Sequence, residues 1–394
     1  MRIAFLLALP PNSSGAAWAR IQHLALFLSN KGHDVQIISA IGRRRAEAPD
    51  LASRVAIKPL LFSIESDYAP IRCVNALLSF VFSPLAILLS SPDILVVSVG
   101  PGEPAIGAIM LSKALKRRVI FDYRDRWEDS LVAKSRCWMS KLFFRCLKKL
   151  MTLLYLGRSV VTVTQPLVEH LRERGIQDLS LVPNGADTKV FRPRKKGNVR
   201  ESLGLSNSDF IIVYSGYIGD VYRLDVVLKA LALFIRRSAK DDAKLILLGN
   251  GSDLKRVLRL ANSLGLAKNV DYLGDEQARH RVAQITGCAD VGIIPLDDNP
   301  IMNDSYPVKM FEYCACGLPI IATVHEDSIL AGLIEKHGIG IIVPPLDVEA
   351  LVLAIKRMYF DKEFREQAGR TARIVIQQHF DRDAMVADFV RLVQ

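Results

Sequence analysis

The chain has 394 residues, 50% hydrophobic and 24% charged with 18 prolines, a mixture that excludes a disordered or fibrous chain and, at this length, predicts two or three domains. Lys and Arg outnumber Asp and Glu by 52 to 41, and the excess lies in the first half: 25 basic against 15 acidic residues up to Val190, then 27 against 26. The first half is therefore the one expected to meet an anionic partner. Six cysteines form no C-x-x-C pair and have no histidine at zinc-finger spacing, so neither a metal knuckle nor a disulfide framework is indicated and a reducing cytosol is expected.

In chain order, MRIAFLLALPP reads as a first strand rather than a signal peptide, because Pro10 and Pro11 follow the apolar run with no small-residue cleavage site. From Ala16 to Lys31, Ile21, Leu24, Ala25 and Leu28 share one helical face and Gly32 supplies the stop. DVQIIS, DILVVSV, RVIFDY and SVVTVT follow as further strands. Between them, Cys73 to Pro92 carries no charge and is long enough to span a bilayer, but Asn75, Ser79, Ser83, Ser90 and Pro84 lower its hydrophobicity. A buried or membrane-contacting helix is expected there.

The second half restarts the alternation with FIIVYSG, KLILLGNG, NVDYLG, DVGIIPL, LPIIAT and GIGIIVP. Short Val/Ile/Leu runs separated by helical segments predict parallel α/β architecture with both sheet faces covered. The expected organisation is an N-terminal domain over 1–185, a linker over 186–200 rich in Pro, Gly, Asn and basic residues, a C-terminal domain over 201–375, and a helical segment over 376–394 that packs back on the first domain.

Ligands of open α/β sheets lie beyond the carboxyl ends of the strands, so the loops there are the places for chemistry. The first such loop, Pro10 to Trp18, lets backbone approach a ligand at Gly15 or is a plain connection; it is not G-x-G-x-x-G, which counts against a dinucleotide oxidoreductase. FDYRDRWEDS crowds Asp122, Arg124, Asp125, Arg126, Trp127, Glu128 and Asp129 into one segment. It suits either a salt-bridged turn or a polyhydroxylated ligand, with Asp125 as candidate base. The densest constellation is NDSYPVKMFEYCACGLPIIAT, in which Asp304 and Glu312 are eight apart and Lys309 lies three before Glu312. A carboxylate accepts from sugar or ribose hydroxyls and a lysine neutralises phosphate oxygens. A capped helix with an i,i+3 pair accounts for the same residues.

With GHDVQII, the acidic R-D-x-W loop, VPNGADTKVF, YSGYIG and LILLGNGS in this order, the chain resembles the retaining glycosyltransferases of family 4 over essentially its whole length. The resemblance implies the GT-B fold, two Rossmann-like parallel-sheet domains facing each other across a cleft. It also implies a nucleotide-diphosphate sugar as donor, bound by the C-terminal domain with Glu312 on the ribose, Asp304 towards the donor sugar and Lys309 near the phosphates. Arg223 would line the phosphates, Gly216 and Gly219 would let their loop approach them or simply form a glycine-rich strand-to-helix turn, Asn250 and Gly251 would lie by the base, and Gly15, Arg124 and Trp127 by the acceptor. Asp304 stands where the family has Glu, and Arg223 and Lys229 replace the usual Arg and Lys pair at an unfamiliar spacing. No cofactor is expected, and no metal: the one Asp-x-Asp, Asp381 and Asp383, reads as a helix cap. Positive charge and helix N-termini would stabilise the leaving diphosphate.

From Leu131 to Arg158 seven basic residues and no acidic one occur. On a helical wheel Lys134, Lys141, Arg145, Lys148 and Lys149 share a face opposite Phe143, Leu147, Leu150 and Leu154. Such a helix attracts anionic lipid or simply packs its apolar side on its own domain. Nucleic acid is not expected, since no recognition module is present. The expected protein is a metal-independent hexosyl- or N-acetylhexosaminyl-transferase, cytoplasmic and peripheral on the inner membrane face, acting on a saccharide or lipid-linked acceptor in surface polysaccharide or glycolipid assembly. A GT-B-like sugar-nucleotide epimerase and a non-catalytic sugar-nucleotide or lipid-binding scaffold are the alternatives.

Overall fold

The computed structural model describes residues 1–10, 15–41, 54–64, 66, 68–100, 102–275 and 279–393; positions 11–14 of the first loop lie outside them. The chain divides into two units, Met1–Pro183 with Val386–Gln394, and Asn184–Met385. The segment 186–200, expected as a linker, belongs to the second unit. Phe191 is fully buried there, and Arg200 bonds Asp290 at 2.8 Å.

The first unit is built on a seven-stranded parallel sheet in the order β3-β2-β1-β4-β5-β6-β7, formed by β1 (Arg2–Leu7), β2 (Asp34–Ala40), β3 (Ala56–Leu61), β4 (Ile94–Val99), β5 (Arg118–Tyr123), β6 (Ser159–Thr162) and β7 (Leu179–Leu181). β4 is buried along its whole length and β1 at every residue after Arg2, which is why they read as unbroken apolar runs. The helix Ala16–Asn30 covers one face and Gly32, at φ 85°, ends it in the left-handed region. Val386, Phe389, Val390 and Val393 join Ile3, Phe5, Ile21 and Leu24 in the same core. The terminal helix Arg382–Val393 thus closes a sheet begun by the first strand.

The second unit has six parallel strands in the order β10-β9-β8-β11-β12-β13, namely β8 (Phe210–Ser215), β9 (Ala243–Leu248), β10 (Val270–Tyr272), β11 (Val291–Pro295), β12 (Ile320–Thr323) and β13 (Gly340–Val343). Helices Leu224–Ser238 and Val348–Phe360 cover one face; Val308–Ala315 and Lys362–His379 cover the other. Both sheets are doubly wound, and each reverses strand order at one point, β1/β4 in the first and β8/β11 in the second. That reversal opens a crevice beyond the strand ends, where ligands of this architecture sit.

Candidate functional site

At the switch point of the second sheet the chain leaves β8 through Gly216, at φ 127°, a conformation that L side chains rarely adopt. A Cβ on Gly216 would lie 3.2 Å from Lys309 Cε and 3.4 Å from its Nζ. Lys309 comes from the first turn of the helix Val308–Ala315, and is 6% exposed. Its Nζ stands 4.1 Å from the Tyr214 ring centre and 3.3 Å from that of Tyr222. No hydrogen-bond acceptor reaches it among the described residues. Burial holds its pKa well below the usual lysine value, opposed by the carboxylate of Glu312. The two rings partly offset the lost hydration by cation–π attraction. Among the described residues no anion bonds this buried amine.

Three residues on, one turn further along the same helix, Glu312 is buried at 5% and accepts from Arg279 Nη2 at 2.5 Å. Arg279 itself lies over the Phe191 ring, 4.8 Å from its centre. Asp304 ends the short 3-10 turn Pro300–Asp304 and is half-buried, so the two motif carboxylates stand on separate elements joined through Pro307. Asp297, in the loop after β11, has a buried Oδ1 with no hydrogen bond among the described residues, and burial together with Asp220 raises its pKa.

The glycine loops serve each other before any ligand. Gly216 N donates to Leu248 O and Ile218 N to Asn250 O, both at 2.9 Å. A Cβ on Gly251 would sit 2.1 Å from Ile218 O, and one on Gly219 would strike the Tyr217 ring. Gly251 is therefore explained by backbone interlocking of the loops after β8 and β9, and Gly219 by the room that the Tyr217 ring takes. Asn250 is likewise engaged locally, accepting from Gly251 N at 2.8 Å and donating to Asp275 at 3.3 Å. Arg223 grips Asp225 through two bonds of 2.9 and 2.8 Å at the start of its helix, leaving only part of its guanidinium for a ligand.

In the first unit Asp125 follows β5 and is exposed. Its Oδ1 and Arg124 Nη2 would lie 3.6 and 3.7 Å from a Cβ on Gly100, whose φ is 127°, so both line the end of β4 at the switch point of that sheet. Arg124 also stands 3.7 Å from Asp122, which is fully buried and accepts from Arg20 Nε at 3.0 Å. Gly15, extended at φ −172°, has open space around the missing Cβ. Trp127 departs from expectation. It is 8% exposed and packs with Leu131, Met151 and Tyr155 in the core, a ring buried below the surface instead of an acceptor platform. Behind it Glu128 accepts from Tyr123 OH at 3.0 Å, Tyr155 OH at 3.2 Å and Arg174 Nη2 at 3.3 Å, a satisfied buried network.

The motif order and these two switch points agree with what known proteins show. The glycosyltransferase family 4 model matches residues 17–190, and that of the glycosyl transferases group 1 matches residues 195–375. The chain belongs to the family 4 glycosyltransferases. N-acetyl-alpha-D-glucosaminyl L-malate synthase of Bacillus anthracis is 24% identical over 232 residues, 58% of this chain and 58% of that protein. D-inositol 3-phosphate glycosyltransferase of Rhodococcus opacus is 30% identical over 172 residues, 42% of this chain and 37% of that one. The chain thus matches between 37% and 58% of the length of these relatives. WaaG, a glycosyltransferase involved in lipopolysaccharide biosynthesis, superposes with a TM-score of 0.75 over 100% of this chain and 99% of that one at 15% identity, a likeness of GT-B fold.

On this family 4 chain the basic stretch is two helices, Trp127–Lys134 and Trp138–Tyr155, interrupted at Ser135–Cys137. Lys134 therefore lies on a different helix from Lys141, Arg145, Lys148 and Lys149, and Lys148 turns inward to Asp129. Lys141, Arg145 and Lys149 remain exposed, beside Trp138, Met139, Leu142, Leu150 and Leu153. The buried stripe is Phe144, Leu147, Met151 and Tyr155, rotated from the face drawn by a continuous wheel. Beside this helix the one at Ala69–Ser90 is inverted: it buries Arg72, Asn75, Ser79, Ser83 and Ser90 while Leu77, Phe80, Val81, Leu85, Leu88 and Leu89 stay exposed. Among the described residues no group of His, Cys, Asp and Glu is arranged to hold a metal ion.

Proposed function

We propose that this chain is a retaining glycosyltransferase that moves a hexosyl or N-acetylhexosaminyl unit from a nucleotide-diphosphate sugar to a saccharide or lipid-linked acceptor, without a metal ion. The observation that carries the reading is the buried Lys309 ammonium at the β8/β11 switch point, lacking an anion of its own among the described residues. A diphosphate over Gly216 supplies that anion, and its bond to Lys309 strengthens as charge builds on the departing group. Glu312, on the same helix, takes the ribose hydroxyls once Arg279 releases it. Asp304, Arg223 and the β8 loop complete the donor side.

On the first unit Asp125 and Arg124 beside Gly100 orient the acceptor hydroxyl. As the sugar–phosphate bond breaks, the acceptor oxygen bonds the anomeric carbon on the same face. Its proton passes to the departing phosphate oxygen, so the anomeric configuration is kept.

The setting we propose is the cytoplasmic face of a membrane rich in anionic lipid, in surface polysaccharide or glycolipid assembly. The support is the exposed apolar row of Ala69–Ser90 beside Lys141, Arg145 and Lys149. Each cation contributes on the order of 1 kcal/mol at such a surface. Proton NMR of the products formed from a panel of nucleotide sugars and membrane-extracted acceptor, in the presence of a chelator, tests the reading. Transfer with the donor's anomeric configuration is expected. An inverted product overturns the retaining mechanism, and release of a free, epimerised sugar without acceptor overturns the transferase.

A further inference from the structure

The second unit has another concavity, on the edge of the sheet remote from Lys309. There the amino ends of β8, β11 and β12, with Asp242 just before β9, border a cavity of about 890 Å³ beneath the helix Lys362–His379. The six residues of β8 separate the two edges, about 20 Å at the rise of a strand. A volume between about 300 and 1,000 Å³ is that of small-molecule sites in general.

The charge of this cavity is one-sided, with seven basic and four acidic residues in its wall. Its carboxylates are engaged. Asp290 accepts from Lys196 at 2.6 Å and Arg200 at 2.8 Å, Asp242 from Tyr359 OH at 2.8 Å, and Asp209 from Ser206 N at 2.8 Å. Glu366 faces Lys362 at 3.7 Å and Arg370 at 3.9 Å. The arginines are engaged mostly by groups that cancel no charge. Arg373 donates to the carbonyls of Phe191, Ala315 and Thr188 at 2.9, 2.7 and 3.1 Å. Arg194 donates to Val190 O at 3.2 Å, while its Nε is buried with no hydrogen bond among the described residues. Surplus positive charge in a concave wall concentrates anions. Phe210, Leu318 and Pro319 give the same cavity an apolar side.

We propose that this amino-edge cavity binds a phosphorylated small molecule of up to nucleotide size, with its phosphate held by Arg194, Arg370 and Arg373 and its organic part against Phe210, Leu318 and Pro319. Guanidinium forks match phosphate oxygens in pairs, which a scattered set of lysines does not. The site shares no residue with the donor side and needs no occupant there.

Calorimetry on the full chain, with glucose 1-phosphate and AMP as probes, tests this on wild type, Arg194→Ala/Arg370→Ala and Lys309→Met. Binding of either probe is expected to weaken at least about tenfold in the double variant and to change less than about twofold in Lys309→Met. Whichever probe binds tells a sugar phosphate from a nucleotide as the source. Should the double variant fail to fold, Arg370→Glu, at a side chain 61% exposed, reads the same loss. The proposal is overturned if neither probe binds up to about 10 mM, or if binding is lost in Lys309→Met and kept in the amino-edge variants.

Discussion

Lys309 costs the folded protein stability in return for a ready cation. Its Nζ is buried among Tyr214, Tyr222 and Gly216 with no hydrogen-bond acceptor among the described residues, and an unpaired buried charge destabilises by kilocalories. Lys309→Met keeps the length of the side chain and removes the charge. It is expected to stabilise the fold by about 1–3 kcal/mol in chemical denaturation while abolishing nucleotide binding; a destabilised variant that still binds would contradict this. His170 gives the pH dependence. Its Nε2 lies 3.3 Å from Asp129, but burial first, and then Arg126, push its pKa down to about 4. The unfolded chain therefore takes up a proton between the ordinary value near 6.5 and about 4 that the folded chain does not. Stability should be full above that window and fall by roughly 2–3 kcal/mol as pH drops through it, with His170→Leu flattening the profile. Lys309 and Glu312 are legible in the sequence because three residues on one helix force them to one side. Arg279 and the two tyrosines are not, since they reach the site from other strands and helices with no local pattern. Trp127 misleads because an aromatic among charges reads as a ligand platform, while it opens the helix Trp127–Lys134 on the side that packs into the core.

At the scale of elements the inversion of Ala69–Ser90 has a packing cause. Ser83 Oγ accepts from Ala108 N at 2.8 Å, and a Cβ on Gly107 would lie 2.4 Å from Ser79 O, so the polar face is small and bonded enough to let the helix Ile106–Ala114 press against it. The apolar residues are left outside. By length and composition this helix is able to cross a membrane, yet its serine face is packed within the first unit, which fits contact with a bilayer surface better than a span. Leu77→Ser/Val81→Ser/Leu88→Ser is expected to leave the melting temperature unchanged and to abolish flotation with phosphatidylglycerol vesicles. Equal flotation of the variant would remove the membrane reading. Uncharged composition announces the helix in the sequence, but which face is buried depends on Gly107, far along the chain. The break at Ser135–Cys137 carries no Gly or Pro, so a wheel drawn through it assigns the buried stripe to the wrong side. β3 escapes notice because Lys58 and Pro59 interrupt an edge strand, and β7 because it has three residues.

At the scale of the molecule, two doubly wound sheets are legible because their buried central strands write themselves as Val, Ile and Leu runs, and because the pattern restarts after Val190. The return of Val386–Val393 to the first sheet is written only as the terminal helical segment. The division of charge agrees with the division of labour proposed: the basic first half carries the acceptor and membrane side, the nearly neutral second half the donor. On the proposed reading Lys309 and Glu312 hold a nucleoside diphosphate on the second unit. Calorimetry with UDP, GDP and ADP, free of metal and at several pH values, tests it most directly on wild type, Lys309→Met and Glu312→Ala. One preferred nucleotide is expected, with affinity that declines as pH rises because burial lowers the Lys309 pKa, and with at least tenfold weakening, about 1.4 kcal/mol, in each variant. Binding that is indifferent to pH and to both substitutions would contradict it.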